Sequence, residues 1–309
     1  MSDRYRYHLL DVFTGRPFGG NQLAVFLDGA GLGADTMQLV ARELNLSETV
    51  FVLPPEQASH TRRVRIFTPG RELPFAGHPT VGTAHCLVAA GEVPAPAEGE
   101  LDIVLEEEVG PVPVKVRMEA GKPVFAQLAA AQMPEFRDPP ASPAAIASVL
   151  GLKESDLLPA DEWPIRAVSC GFPFLFVPVR DRATLGQVRM RTDRWEQVLS
   201  GWWAENIFVF TPDGELPGSD YRARMFGPSI GIVEDPATGS AATGLGGYLG
   251  TGRGSRVAGR ETLRWVVEQG FEMGRPSMLH VEVDLLNGSI SAIRVGGESV
   301  MMGEGEMTL

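Results

Sequence analysis

His78 lies in the run AGHPTVGTAH, between Gly77 and Pro79, and Asp235 lies in EDPATGSAA, directly before Pro236. Proline is favoured at the first position of a helix, where its missing N–H would have had no helical acceptor. Each proline therefore marks a helix start and puts His78 or Asp235 at its mouth. An imidazole and a carboxylate placed there can trade protons with a bound molecule. The free backbone N–H groups and the positive end of the helix dipole favour an anion. Gly82 and Thr83 near the histidine, and Gly239 and Ser240 after the aspartate, are small enough for backbone amides to reach a carboxylate, and the two hydroxyls add hydrogen bonds. For Asp235 taken alone, capping the helix is the more ordinary use of a carboxylate; His78 is a poorer cap.

The two mouths repeat each other. RVRIFTPG (Arg63–Gly70) returns as RARMFGPS (Arg222–Ser229), an offset of 222 − 63 = 159. HPTVGTA (His78–Ala84) returns as DPATGSA (Asp235–Ala241), and SETVFVLPPE (Ser47–Glu56) as AENIFVFTPD (Ala204–Asp213), both at 157 (235 − 78 and 204 − 47). Three matches in one order at nearly one offset imply an internal duplication. If the copies pack about a pseudo-twofold axis, the equivalent mouths face each other across a cleft, with proton-transfer groups on opposite sides. This string alignment also makes Glu48 and Glu205 equivalents. Such a glutamate is ordinarily a solvated turn residue, but burial near a cleft would let it exchange protons near neutral pH.

The elements that must hold these residues read as strands and a few helices. ADTMQLVARELNL has helical spacing at Met37, Val40 and Leu44. LLDVF, LAVFL, TVFVLP, HTRRVRIFT, LDIVLE and VPVKVRM read as strands of the first copy. PVFAQLAA, PFLFVPVR, IFVFTP, DYRARMF, SMLHVEVD and ISAIRVG read as strands of the second. Short turns join many of them, so mostly antiparallel sheets are expected. The helices after His78 and Asp235 are rich in Gly and Ala, which lowers helix propensity and permits close backbone approach; a central, strand-wrapped helix is expected in each copy. MPEFRDPPASPAA reads as a loop. With 309 residues and ~150 residues per domain, the expectation is a domain over 1–122, a second over 123–297, and a strand over 298–309 returning to the first.

Composition narrows the function classes. A formal net charge of −12 argues against the basic stripe that nucleic-acid binding needs. No signal-peptide run and no stretch near ~20 apolar residues is present, so a cytoplasmic location and no membrane association are expected. Cys86 and Cys170 are too few for a disulfide framework and read as small buried apolar residues. There is no GxxxxGK[ST], HExxH or CxxC, and no GxSxG nucleophile elbow is expected. The five histidines lack paired metal-ligand spacing, so no metal and no cofactor is expected. His85 reads as a packing residue, and Trp195, Trp202 and Trp203 as core or interface anchors.

GNQLAVF, LNLSETVFV, IFTPGRELPFAGHPTVGTAH and EDPATGSAA together resemble the PhzF-like family, the phenazine-biosynthesis isomerases and their relatives, over essentially the whole chain. The resemblance implies a diaminopimelate-epimerase-like α+β fold: two similar domains, each with mostly antiparallel strands around a central helix, and a site between them. It implies a cofactor-independent isomerisation of a small carboxylate, of the kind that acts on trans-2,3-dihydro-3-hydroxyanthranilate. The SET motif supplies the proton-shuttling glutamate, Glu48, and the motifs around Gly77, His78, Asp235, Gly239 and Ser240 line the site. Glu205, in AEN rather than SET, then has a structural role. A homodimer is implied by the resemblance alone. Related racemases use one cysteine from each half; neither helix mouth here has one, which argues against two-thiol racemisation. Gln22, Cys170 and Phe174 depart from the family's usual strings and bear on substrate identity. Two other readings are epimerase or lyase chemistry on another small acid, and a binding protein that keeps the cleft without catalysis.

Overall fold

The computed structural model describes residues 4–253 and 259–309. They fall into two compact units, Met1–Ala131 with Arg294–Leu309, and Gln132–Ile293. The fold is α+β, with large mixed sheets and few helices.

In the first unit, β1 (Arg4–Val12), β2 (Asn21–Phe26), α1 (Ala34–Leu44), β3 (Glu48–Leu53), β4 (Arg62–Phe67) and β5 (Glu72–Leu73) lead into α2 (Gly77–Ala89). β6 (Gly99–Glu107), β7 (Gly110–Glu119) and β8 (Lys122–Ala129) follow. β2–β3 and β4–β6 pair in parallel. β1–β2, β3–β4, β4–β5, β6–β7 and β7–β8 pair antiparallel. PVFAQLAA, expected in the second copy, is β8 and belongs here. It pairs with β7 on one side and, at Ala126–Ala129, with Arg294–Gly297 on the other.

α2 has no polar face. Every residue from Gly77 to Val88 is buried, and it packs against β1, β2, β3, β6, β7 and β8. A helix apolar all round is stable only when enclosed, and its Gly, Thr and Val content gives it little intrinsic propensity. A Cβ on Gly82 would come within 2.6 Å of both Leu23 and Val12, so this glycine sets how closely the helix approaches β1 and β2. On the sheet's other face, α1 buries Met37, Val40 and Ala41 against Phe26, Phe51 and Phe67.

The second unit begins with β9 (Glu135–Arg137) and α3 (Pro143–Val149), both inside or beside the stretch expected to be a loop. The Ser142 hydroxyl caps α3 by accepting from Ala145 N. β10 (Arg166–Ser169), β11 (Pro173–Pro178), α4 (Arg182–Gln187), α5 (Thr192–Val198), β12 (Asn206–Thr211), β13 (Tyr221–Gly227) and β14 (Ile232–Asp235) lead into α6 (Gly239–Arg253). β15 (Arg260–Gln269), β16 (Ser277–Leu286) and β17 (Ser289–Gly297) follow, and β18 (Ser299–Thr308) returns to pair with β1. β11–β12 and β13–β15 are parallel. β10–β11, β12–β13, β13–β14 and β15–β16 are antiparallel. The pairing scheme of the first unit thus recurs, and α6 is buried from Ala241 to Gly250. At Gly244 a Cβ would meet Phe176 at 2.7 Å. Trp195, Trp202 and Trp203 are half-buried against this unit's apolar core.

Among the described residues no helix is long and apolar enough to cross a membrane.

Candidate functional site

Glu48 is the first residue of β3, paired in register with Leu23 of β2. His78 is the second residue of α2. The sheet and the helix bring them together: His78 Nε2 lies 3.2 Å from Glu48 Oε2, with side-chain exposures of 3% and 8%. Asn21, the first residue of β2 and fully buried, places its Nδ2 3.1 Å from His78 Nδ1. When the amide donates, Nδ1 accepts and the imidazole proton sits on Nε2, which makes no hydrogen bond among the described residues although Glu48 Oε2 is close. Burial pushes His78 down to about 3, so the ring is neutral at working pH and serves as a hydrogen-bonding group. Thr83, one turn further along α2, is fully buried, and its Oγ1 makes no hydrogen bond among the described residues. An unsatisfied buried hydroxyl costs free energy unless something outside the protein uses it. Gly77 opens the helix, while Gly82 has the packing role given above.

In the second unit Asp235 ends β14, four positions before Gly239 opens α6, instead of sitting at the helix mouth. The intervening residues form a turn held by side chains. Thr238 Oγ1 donates to Asp235 Oδ2 at 2.6 Å. Gln269 Nε2 donates to Asp235 O at 2.8 Å and to Thr238 Oγ1 at 2.9 Å, and Gln269 Oε1 accepts from Thr238 N at 3.1 Å. Ser277 Oγ donates to Pro236 O. Gly270, at φ +78, has no room for a Cβ beside the Pro236 carbonyl, which would lie 2.5 Å away. Ser240 follows Gly239 in the first turn and is half-buried. Likewise, α2 starts at Gly77, so Pro79 is its third residue rather than its first.

Strand register corrects one expected equivalence. Arg63 pairs with Leu53, and Arg222 with Thr211. Counting back along β3 and β12 from those pairs puts Asn206, not Glu205, at the station of Glu48. Each also opens its strand, opposite Leu23 and Phe174 respectively. String similarity had aligned Glu with Glu, but a one-residue slip exchanges the two faces of a strand. Asn206 is buried and its Oδ1 accepts from Ser229 Oγ at 2.9 Å. Glu205 is a local brace: its Oε1 accepts from Gly201 N and its carbonyl from Trp195 Nε1. GPSIG (Gly227–Gly231) has the GxSxG spacing of a nucleophile elbow, contrary to the expectation that the chain has none, but Ser229 gives its hydroxyl to Asn206 Oδ1 and has no histidine partner among the described residues.

Both cysteines are buried, and burial pushes each thiol up to about 12. Among the described residues, no group of three or more His, Cys, Asp or Glu side chains is placed to hold a metal ion.

Asn21 and Gln269 were missed as site residues. Asn21 stands inside the GNQLAVF motif, and its buried amide against His78 is a contact between distant segments that no local pattern shows.

Comparison with known proteins gives the class and then the family. An uncharacterized isomerase of Mesorhizobium japonicum is 39% identical over 97% of this chain and 98% of its own. A trans-2,3-dihydro-3-hydroxyanthranilate isomerase of Pseudomonas aeruginosa is 36% identical over 99% of this chain and all of its own. The crystal structure of a PhzF-family phenazine biosynthesis protein of Bacillus anthracis superposes with a TM-score of 0.87 at 27% identity, covering 99% of this chain and all of that one. At 13% identity, a hydroxyproline epimerase of Agrobacterium vitis shares the fold alone, with a TM-score of 0.65 over 99% and 93% of the two chains. The class is an isomerase with an epimerase-like fold. The chain belongs to the PhzC-PhzF family of phenazine biosynthesis-like proteins, whose model matches residues 10–305.

Proposed function

We propose that the chain moves a proton on a small carboxylate substrate of the dihydro-hydroxyanthranilate kind, without a cofactor, and that Glu48 carries the proton. The observation that supports this most is the buried approach of Glu48 to His78, 3.2 Å at the mouth of α2. Desolvation brings the acid and base forms of a carboxyl closer in energy around neutral pH. Glu48 removes a proton from a substrate carbon and returns it to another carbon of the same molecule. Neutral His78, oriented by Asn21, donates through Nε2–H to a polar group whose charge grows as the carbon proton leaves. Backbone amides near Gly77 and the Thr83 hydroxyl hold the carboxylate in this unit. Asp235, braced by Thr238, and the Gly239–Ser240 turn are the corresponding substrate-binding residues of the second unit. The recurring pairing scheme and the repeated strings support a duplicated ancestry for the two units.

The test is incubation with trans-2,3-dihydro-3-hydroxyanthranilate, the substrate named for the Pseudomonas aeruginosa relative, in deuterated water with NMR of the product. Glu48→Gln is expected to abolish deuterium incorporation while ligand affinity stays within about tenfold. Full exchange by this variant would overturn the assignment of Glu48. Product stereochemistry and mass from the same spectra distinguish isomerisation from epimerisation or elimination. Turnover of none of a panel of hydroxylated and amino-acid-like carboxylates, with binding intact, would favour a non-catalytic cleft.

A further inference from the structure

Arg63 of β4 lies in register with Glu106 of β6, and Arg222 of β13 with Glu268 of β15. Each glutamate accepts from two consecutive backbone N–H groups: Glu106 from Glu56 and Gln57, Glu268 from Glu215 and Leu216. These stations correspond, so the next residues also correspond. They are Glu107 and Gln269, each the last residue of its strand. Their exposures are 8% and 0%.

Gln269 fastens the Asp235–Thr238 turn through the bonds described above. Glu107 reaches the first turn of α2, where its Oε1 meets Thr80 Oγ1. That hydroxyl also lies 2.6 Å from the carbonyl of Ala76, the residue just before Gly77 and His78. A carbonyl can only accept, and a hydroxyl has one hydrogen. Thr80 has one hydrogen for two short contacts, so with that hydrogen on Ala76 O the contact to Glu107 needs a proton on the carboxyl, and the Ala76 N–H also donates to Glu107. The Glu107–Thr80 contact is then a hydrogen bond when the carboxyl carries a proton, and a clash of lone pairs when it does not. Glu107 Oε2 makes no hydrogen bond among the described residues, a position where ionisation is costly.

We infer that Glu107 and Gln269 are matched positioning residues, each fastening the backbone that carries its unit's site residue, and that Glu107 does so as a neutral carboxylic acid, the counterpart of the Gln269 amide. The inference rests on the reading of His78 and Asp235 as site residues. The surrounding charges do not overturn it. On β4 and β5, Arg63 is bound to Glu56 and Arg65 to Glu72. On β6, Glu106 is bound to His60, and Glu108 follows in the turn to β7. The imidazoles of α2, His78 and His85, are held neutral by burial. Burial likewise pushes Glu107 up to about 8.

The experiment uses the full chain and two readouts. In the unfolded chain Glu107 ionises near 4.5, whereas in the folded chain it keeps its proton to about 8. The folded state therefore binds more protons across that window, and stability falls as pH rises through it. Between about pH 7 and 8, where His78 and His85 are neutral in the folded state and mostly neutral in the unfolded one, the urea midpoint of the native chain should fall. Glu107→Gln should remove most of that slope, and Gln269→Glu should steepen it, giving a second arm should the first variant fold poorly. In the second readout, Glu107→Gln keeps kcat within about threefold at pH 7, whereas Glu107→Ala loses tenfold or more with a smaller change in KM. An unchanged alkaline slope in Glu107→Gln overturns the inference, as does a folded Glu107→Gln as inactive as the alanine variant. If no variant or native chain turns over any substrate, the proposed function fails, and the stability arms still decide the state of Glu107.

Discussion

Glu106 and Glu268 hold the same station in the two units, yet their surroundings differ sharply. Glu106 is bound to His60, 2.8 Å away, and its cross-strand neighbour, Arg63, is 43% exposed and bound to Glu56 instead. Glu268 is fully buried and bound to Arg222 at 2.8 Å, and Arg222 also holds Glu215 and Glu272. Burial disfavours the charged form of Glu268, but the bonds from Leu216, Glu215 and Arg222 prevail and hold it below the ordinary carboxylate range. The second pair of stations agrees more closely: Arg65 grips Glu72, and Arg224 grips Glu234, each through two bonds of 2.6–2.8 Å. The comparison teaches that the two units keep one framework of arginine–glutamate braces and differ at its ends. The first unit places Glu48 where the second places Asn206, and Glu107 where the second places Gln269. Under the proposed function, the proton carrier and the pH-sensitive carboxyl then both belong to the first unit.

The sharpest way to break this comparison is to make the units alike. Glu48→Asn gives the first unit the second unit's residue. Under the proposed mechanism it should lower kcat by about 10³-fold or more, since no group remains to carry the proton. The thermal midpoint should change little, because Asn206 shows that an amide is accommodated at this station. Activity within tenfold of the native chain would mean that the difference between Glu48 and Asn206 is not the functional one.

The next test compares the braces. Glu268→Gln leaves Arg222 buried without its closest partner and should cost about 3 kcal/mol in urea unfolding. Glu106→Gln changes a group at the edge of an open groove, so its midpoint shift should be clearly smaller. Equal shifts would show that burial does not distinguish the two frameworks.

Much of this arrangement was legible in the sequence, and the failures have physical causes. The offset between Arg63 and Arg222 carried through to register, because residues that pair in a sheet and brace each other stay similar in type. The offset between Glu48 and Glu205 failed by one residue: strings record composition, whereas register records which face a side chain occupies. Glu107 and Gln269 share no string, and β15 itself was passed over because Trp265, Val266 and Val267 interrupt strict alternation. Asp235 was read as a helix-mouth residue from its proline. The turn that separates it from α6 is held by Gln269 and Ser277, which lie more than thirty positions away. The buried helices were legible because a helix of small residues with no polar face has nowhere to go but inside.

The smallest expected effect concerns acid. His78 and His85 ionise near 6.5 in the unfolded chain, while burial pushes them down to about 3 and about 4 in the folded one. Between those values the unfolded state binds more protons, so each imidazole makes the protein less stable as pH falls below about 6.5, by at most ~1.4 kcal/mol per pH unit. Below about 6.5 Glu107 works in the opposite direction, because its folded form is the protonated one. Two imidazoles opposed by one carboxyl leave a net loss of about one such increment per unit between pH 6.5 and 4.5. His85→Leu should remove about half of the imidazole contribution and nearly flatten the profile in that interval. The second unit has Asp235 and Ala242 at the corresponding offset of 157 (78 + 157 and 85 + 157), so neither position carries an imidazole. Amide exchange followed by mass spectrometry at pH values on either side of 6.5, corrected for intrinsic rates, should show α2 losing protection on acidification before α6 does. Loss of protection in α6 first would place the acid-sensitive groups in the second unit and reverse the comparison.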